Sequence, residues 1–330
     1  MEPVTGFPTP VTGFLKQSFR IASSNARWLS LHLHAVIPGE RSSRAVLLLH
    51  GATLASYVFD LPVPGYSLQE RLAAAGWASY ALDVRGYGRS SRPAPGDPGC
   101  PADRPFSTAQ ESVEDVADAM RFLRHDLRHS QVALLGYSWG TILAGRFVNA
   151  YPGAVNRMIL FAPIYGTANA RWMKYFGAPG GEAHSGFGAG GYRWTTGDEL
   201  RARWDSEIPI AAKAAWRPNE TLSAVLEAAL GSDPLSLTRV PPAFRSPTGC
   251  NVDLCQAFTG HAGFEAGTIE VPTLLLRGDA DTTSTQADSQ RLLERLKSRD
   301  KHSITIPSAT HFACFEYSAP LLFDALLAFL

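Results

Sequence analysis

The stretch Val132-Ala133-Leu134-Leu135-Gly136-Tyr137-Ser138-Trp139-Gly140-Thr141-Ile142-Leu143-Ala144-Gly145 decides how this chain folds. It opens as an apolar run of strand length and continues past Gly140 as a helix-like run. The joint between them reads Gly-x-Ser-x-Gly. A serine on so tight a strand-to-helix turn must adopt a strained backbone conformation. The positions two before and two after it come so close that side chains would collide, and both are glycine. The turn pushes the Ser138 hydroxyl out at the carboxyl end of the strand. It also aims the first amides of the helix at whatever that hydroxyl attacks.

Outward from this joint the strand-then-helix rhythm repeats. Ala45 to Leu49 is a continuous apolar strand, followed by His50-Gly51-Ala52-Thr53. Ser67 to Ala75 reads as a helix stopped by Gly76. Trp77 to Leu82 is the next strand and runs into a glycine-punctuated loop, Asp83 to Ser90. Thr108-x-x-Glu111 is a capping box. The helix behind it puts Val113, Val116, Met120, Leu123 and Leu127 on one buried stripe. Arg157 to Phe161 and Val271 to Leu276 are further strands, the second ending in Gly278-Asp279-Ala280-Asp281. A helix over Gln286 to Leu296, a strand over Ser303 to Ile306 and a helix over Tyr317 to Leu330 complete the pattern, with Ala309-Thr310-His311 directly after the last strand. The alternation predicts an α/β fold, a doubly wound and mostly parallel sheet with right-handed crossovers.

The rhythm breaks once, from about Ile164 to Ala266. Strand-like runs stop there, and the stretch carries Trp172, Trp194, Trp204 and Trp216. This divides the chain into a core of residues 1–163 and 267–330 and a mainly helical insertion, 164–266. The glycine-rich segment Gly177 to Gly191 has no strand leading in and no helix leading out, so it reads as a flexible loop and not a phosphate cradle. Residues 1–15 read as an irregular lead-in. Arg27 to Val36 alternates, with Leu29, Leu31, Leu33 and Ala35 inward and His32 and His34 on a solvated face. His125 and His129 stand four apart on a helix, but no glutamate follows the first, so they too read as a solvated face and not a metal pair.

Lys and Arg number 30 and Asp and Glu number 30, so the formal net charge is zero. Without a basic excess, nucleic acid and anionic membranes are not expected partners. No run approaches the roughly 20 apolar residues of a membrane span. Met1 to Gly6 lacks the basic start and apolar core of a signal peptide, so a cytoplasmic protein is expected. Cys100, Cys250, Cys255 and Cys314 are then expected as free thiols. Cys250 and Cys255 are near enough to pair only if the protein were exported.

A serine hydroxyl is a poor nucleophile and needs a base to take its proton. Histidine is the natural base near neutral pH, and an acid must orient it and balance its cation. The carboxyl ends of the strands of a doubly wound sheet converge on one edge. Ser138, Asp281 and His311 each follow a predicted strand, so this fold would gather them. Asp279 follows the same strand as Asp281 and could also reach the histidine.

Over about 40–163 and 268–330 the sequence resembles the α/β-hydrolase family. His50-Gly51-Ala52-Thr53 is similar to its oxyanion loop, and Gly136-Tyr137-Ser138-Trp139-Gly140 to its nucleophile elbow. Gly278-x-x-Asp281 is similar to its acid turn, His311 sits where the family keeps its histidine, and Asp83 to Ser90 resembles its Asp-x-Arg-Gly-x-Gly-x-Ser loop. The resemblance implies Ser138 as nucleophile, His311 as base and Asp281 as the orienting acid. It implies the backbone amides of Ala52 and Trp139 as oxyanion donors, a structural role for His50, and no cofactor or metal. Residues 164–266 would form a cap, placing Thr53, Tyr137, Trp172, Trp194, Trp204 and Trp216 around a small-molecule substrate, with at least half of the cap tryptophans serving only as core.

The expected activity is hydrolysis of a carboxylic ester of an apolar or aromatic small molecule through an acyl-enzyme. Amide hydrolysis (including proline iminopeptidase action), carbon–carbon bond hydrolysis, thioester hydrolysis and acyl transfer would use the same three residues. A ligand-binding receptor or partner-binding scaffold on the same fold is the non-enzymatic alternative. Family members acting on epoxides or haloalkanes carry an aspartate where this chain has Ser138.

Overall fold

A computed structural model describes residues 13–26, 28–40, 42–94, 96–97, 100, 104–177 and 190–330. In chain order its first elements are β1 (Phe14–Ala22), β2 (Ser30–Pro38), β3 (Arg44–Leu49), α1 (Leu68–Ala74), β4 (Ala78–Asp83), α2 (Ala109–Arg121), β5 (Gln131–Tyr137), α3 (Trp139–Ala150) and β6 (Arg157–Phe161). Next come α4 (Ala170–Phe176), β7 (Tyr192–Thr196), α5 (Gly197–Asp205), α6 (Asn219–Gly231), β8 (Ala243–Pro247) and α7 (Gly249–Phe258). The chain closes with β9 (Thr273–Gly278), α8 (Gln286–Arg295), β10 (Lys301–Ile306) and α9 (Ala319–Phe329).

Eight strands form one sheet in the order β1-β2-β4-β3-β5-β6-β9-β10. β1 and β2 run antiparallel to their neighbours, and β4, β3, β5, β6, β9 and β10 are mutually parallel. The apolar runs of the central strands are continuous because both faces are covered. Ala45, Leu47 and Leu49 of β3 pack with Val116 and Met120 of α2 and Ile142 and Phe147 of α3. Val46 and Leu48 point the other way, onto Leu72 of α1 and Leu322, Phe323 and Leu326 of α9. Each such leucine removed from water contributes roughly 2 kcal/mol. The capping box at α2 is formed as the spacing predicts.

Several sequence expectations are corrected. β1 starts at Phe14, inside the expected irregular lead-in, whose residues 1–12 lie outside the described residues. Of the nine residues of this edge strand only Ile21 is fully buried, so it leaves no alternating apolar trace. His32 does not face solvent, and His34 does so only in part. His32 is buried with Nδ1 2.9 Å from Asp83 Oδ2, and His34 Nε2 is 2.7 Å from Asp60 Oδ2. Those carboxylates come from segments distant in sequence, which cover the outer face of β2. His129 lies beyond the helix, buried, with Nε2 2.8 Å from the Tyr80 hydroxyl; His125 is exposed.

Strands do not stop between β6 and β9. β7 and β8 form a two-stranded antiparallel ribbon, each only five residues long and without clean alternation. Of the glycine-rich segment, residues 178–189 lie outside the described residues. All four cysteines are free. No helix of the described residues is long and apolar enough to cross a membrane.

Candidate active site

Ser138 sits between β5 and α3 with φ 57° and ψ −119°, a conformation that non-glycine residues rarely adopt. The flanking glycines make that turn possible. A Cβ on Gly136 would lie 2.2 Å from the Gly140 carbonyl oxygen, and one on Gly140 would lie 2.5 Å from the Leu49 carbonyl oxygen. The turn is held by the Ser138 amide, which donates to Phe161 O at 2.9 Å, and by the Thr141 hydroxyl, which donates to Ser138 O at 2.6 Å.

His311 reaches this serine from the loop after β10. Its Nε2 is 2.8 Å from Ser138 Oγ, and its Nδ1 is 2.9 Å from Asp281 Oδ2. The other Asp281 oxygen accepts the amides of Thr283 and Ser284, both at 2.8 Å. A carboxylate only accepts, so His311 must donate through Nδ1. In the neutral ring Nε2 is then an acceptor facing the serine hydroxyl. All three side chains are buried. Asp279 points elsewhere: its carboxylate accepts the amides of Ser308 and Ala309 at 3.0 and 3.1 Å. Gly278 lets this turn press on the histidine loop, since a Cβ there would lie 2.1 Å from Ala309 O. The loop is also held by Tyr137, whose hydroxyl donates to His311 O at 2.8 Å, and by Glu316, which accepts the Thr310 amide at 2.8 Å.

Residues 50–53 run alongside Ser138. A Cβ on Gly51 would lie 3.2 Å from Ser138 Cβ. His50 is fully buried, and burial pushes its pKa below the ordinary value. Its Nδ1 donates to Gly51 O at 2.8 Å and its Nε2 accepts the Val84 amide at 3.2 Å, so both nitrogens are spent on the backbone. Burial works to raise Asp83, but hydrogen bonds from His32 and the Arg89 amide outweigh it and hold the carboxyl well below its usual range. A Cβ on Gly88 would fall 2.2 Å from that carboxylate, which accounts for one glycine of the Asp83 to Ser90 loop.

The aromatic residues expected around a pocket divide. Trp204 has no exposed surface: it stacks on Phe312 at 5.2 Å and donates its indole N–H to Glu316 at 2.9 Å, so it is core and not a substrate wall. Tyr137 is likewise buried, stacked on Phe161 at 4.7 Å. Trp216 is partly buried against the same core cluster as Trp204. Trp172 is partly exposed and donates to Thr283 Oγ1 at 3.1 Å, beside the Asp281 loop. Trp194 lies on β7 under the guanidiniums of Arg239 and Arg245, 4.3 and 5.6 Å from its ring. Thr53 is partly exposed, and its Oγ1 accepts from Arg193 at 2.6 Å.

Three charged residues near the site escape a reading of the sequence. Glu207 accepts the Thr283 hydroxyl at 2.7 Å, Arg193 donates to Thr53, and Asp253 Oδ2 accepts the indole N–H of Trp139 at 2.9 Å. Their partners lie 76, 140 and 114 positions away, and no local motif marks them. The segment carrying them is joined to the rest at several points. α7 packs on α2 and α3, and Gly249 sits so close that a Cβ would lie 2.4 Å from Phe106 O.

Comparison with known proteins identifies the family and the fold. A family model described as the alpha/beta hydrolase family matches residues 46–325. A 1-acylglycerol-3-phosphate O-acyltransferase of Rattus norvegicus is 28% identical over 150 residues, covering 46% of this chain and 37% of the relative. Epoxide hydrolase 4 of Mus musculus is 28% identical over 130 residues, covering 39% of this chain and 31% of the relative. The matches thus span about a third of those relatives' lengths. Among solved structures, an esterase from Exiguobacterium antarcticum superposes with a TM-score of 0.60 at 16% identity, covering 94% of this chain and 98% of that one. At that identity the likeness is one of fold.

Proposed function

The chain belongs to the alpha/beta hydrolase family, and on that premise we propose that it is a serine hydrolase cleaving a carboxylic ester of an apolar or aromatic small molecule. The observation that carries this reading is the unbroken line from Ser138 Oγ to His311 Nε2 at 2.8 Å and from His311 Nδ1 to Asp281 Oδ2 at 2.9 Å.

In this reading Ser138 Oγ attacks the ester carbonyl while His311 Nε2 takes its proton. The carbonyl oxygen becomes an oxyanion facing the amides of Ala52 and Trp139, each such donor contributing on the order of 3 kcal/mol to the barrier reduction. The intermediate collapses, and the leaving alcohol takes the proton from His311. Water then gives a proton to His311 and attacks the acyl-enzyme, releasing the acid and restoring the Ser138 hydroxyl. Asp281 holds His311 through Nδ1 and balances the imidazolium. The segment 164–266 acts as the cap, with Trp172, Arg193 and Glu207 among its points of contact with the loops around the site.

The identity of the nucleophile favours acyl chemistry. Attack of Ser138 on an epoxide or haloalkane would leave an ether on the enzyme, which an activated water does not cleave. Attack on a carbonyl leaves an ester, which it does. The test is a panel of esters, thioesters, amides and lactones, run with and without prior treatment by an alkyl fluorophosphonate. Ester turnover abolished by the probe is expected. Tight ligand binding without turnover would favour a receptor.

A further inference from the structure

We propose that Arg193 anchors an anion-binding subsite beside Ser138, and that the substrates of this site carry a carboxylate a few bonds from the scissile carbonyl. The inference rests on the serine-hydrolase reading and revises its substrate class, from an apolar ester to one that also carries a negative charge.

Arg193 stands on β7, and the ribbon delivers it to the loop that flanks the serine. Its Nη2 donates to Thr53 Oγ1 at 2.6 Å and to Ala52 O at 3.4 Å. Its cross-strand partner Ser246 donates to Thr53 O at 2.8 Å, so the ribbon is fastened to this loop from both strands. Ala52 follows Gly51, whose Cβ position is 3.2 Å from Ser138 Cβ. At about 3.5 Å per residue, the guanidinium is roughly two residues of chain from the nucleophile.

Among the described residues no carboxylate balances the charge of Arg193. Its Nε is buried with no hydrogen-bond partner among them. The neighbouring arginines differ. Arg245 is held by Asp233 through two side-chain bonds of 2.9 and 2.8 Å. Arg92 lies 3.9 Å from the same carboxylate and donates to the carbonyls of Arg245 and Ser232. Two guanidiniums thus share one carboxylate, and Arg193, which pairs with none among the described residues, is the one that contacts the serine loop. A partly buried cation without a counter-charge is costly, and a bound anion removes that cost. The planar fork of arginine matches a carboxylate.

A purely structural Arg193 would only staple the loop through Thr53 and Ala52. The experiment separates the two roles. 4-Nitrophenyl hemisuccinate is compared with 4-nitrophenyl butyrate, and acetoxyacetate with acetoxyacetamide, in the wild type, Arg193→Gln and Arg193→Lys. A carboxylate member is expected to exceed its neutral partner in kcat/KM by about tenfold or more, a ratio that collapses in Arg193→Gln and is partly kept in Arg193→Lys. A wild-type ratio at or below one for both pairs overturns the proposal. So does a ratio that Arg193→Gln leaves intact while both rates fall together. A 4-nitrophenyl phosphonopropionate preferred over the hemisuccinate overturns the carboxylate assignment.

Labelling by a neutral fluorophosphonate keeps the two readings apart. Labelling of Ser138 without any carboxylate preference overturns the subsite and leaves the hydrolase. Without labelling or turnover the hydrolase reading falls. The subsite is then judged by glutarate, which must raise Tm in the wild type but not in Arg193→Gln to support it, and overturns it otherwise.

Discussion

Glu207 Oε1 accepts the hydroxyl of Thr283 at 2.7 Å, joining the end of α5 to the loop that carries Asp281. The same carboxylate accepts from Arg203 at 2.6 Å and from the amides of Thr282 and His311 at 3.2 and 3.4 Å. One buried group from the 164–266 segment therefore touches both the acid loop and the histidine loop.

That relationship makes stability depend on pH. Burial works to raise Glu207, but the Arg203 charge and the Thr283 bond outweigh it and hold the carboxyl at about 2, against an ordinary 4.5. A depressed acid stabilises the fold above its unfolded pKa and loses that contribution as pH falls through the folded value. Glu207→Gln should cost on the order of 3 kcal/mol at pH 7. In urea titrations the gap to wild type should close as pH falls from about 4.5 toward 2. An equal gap at pH 3 and pH 7 would refute the ion-pair account.

Asp253 should behave in the opposite sense. Burial pushes its carboxyl up to about 6 from 3.8, against hydrogen bonds from Trp139 and the Ala109 amide. An acid with a raised folded pKa costs stability as pH rises from the unfolded value, and the full cost is reached above the folded one. Both bonds end on Oδ2, so an asparagine oxygen can accept them. Asp253→Asn should be the more stable protein at pH 7.5, by up to about 3 kcal/mol, and should match wild type at pH 4. Thermal melts at the two pH values decide it, and a variant destabilised at pH 7.5 would contradict the assignment.

Asp281 and Asp279 should separate sharply. In Asp281→Asn the amide oxygen takes the Thr283 and Ser284 amides, leaving an N–H against His311 Nδ1. The ring then carries its proton on Nε2 and cannot accept from Ser138, a loss on the order of ten-thousand-fold in kcat. Asp279→Asn weakens only the Ser308 and Ala309 bonds, costing about 1 kcal/mol of stability. Folded, inactive Asp279→Asn beside active Asp281→Asn would reverse the assignment.

Much of this was legible in the chain because local rules and the fold agree. The apolar runs of β3 and β5, the glycines around Ser138 and the capping box at Thr108 each carry their structural reason within a few residues. His32 and His129 misled because alternation reports the strand or helix and not what later folds over it. β7 and β8 were too short to show a period. Arg193, Glu207 and Asp253 could not be read at all, since their meaning depends on partners supplied by distant segments. Trp204 and Trp172 look alike in sequence, yet one is core and the other borders the acid loop.

The central claim is that Ser138 is the nucleophile, and the most direct measurement is the site and stoichiometry of labelling by an alkyl fluorophosphonate, read by intact-protein and peptide mass spectrometry. The account predicts one label per chain, on Ser138, none on Ser138→Ala, and an ester kcat lowered by on the order of a million-fold in that variant. A Ser138→Ala protein that is labelled like wild type, or that turns over esters at the wild-type rate, would contradict it.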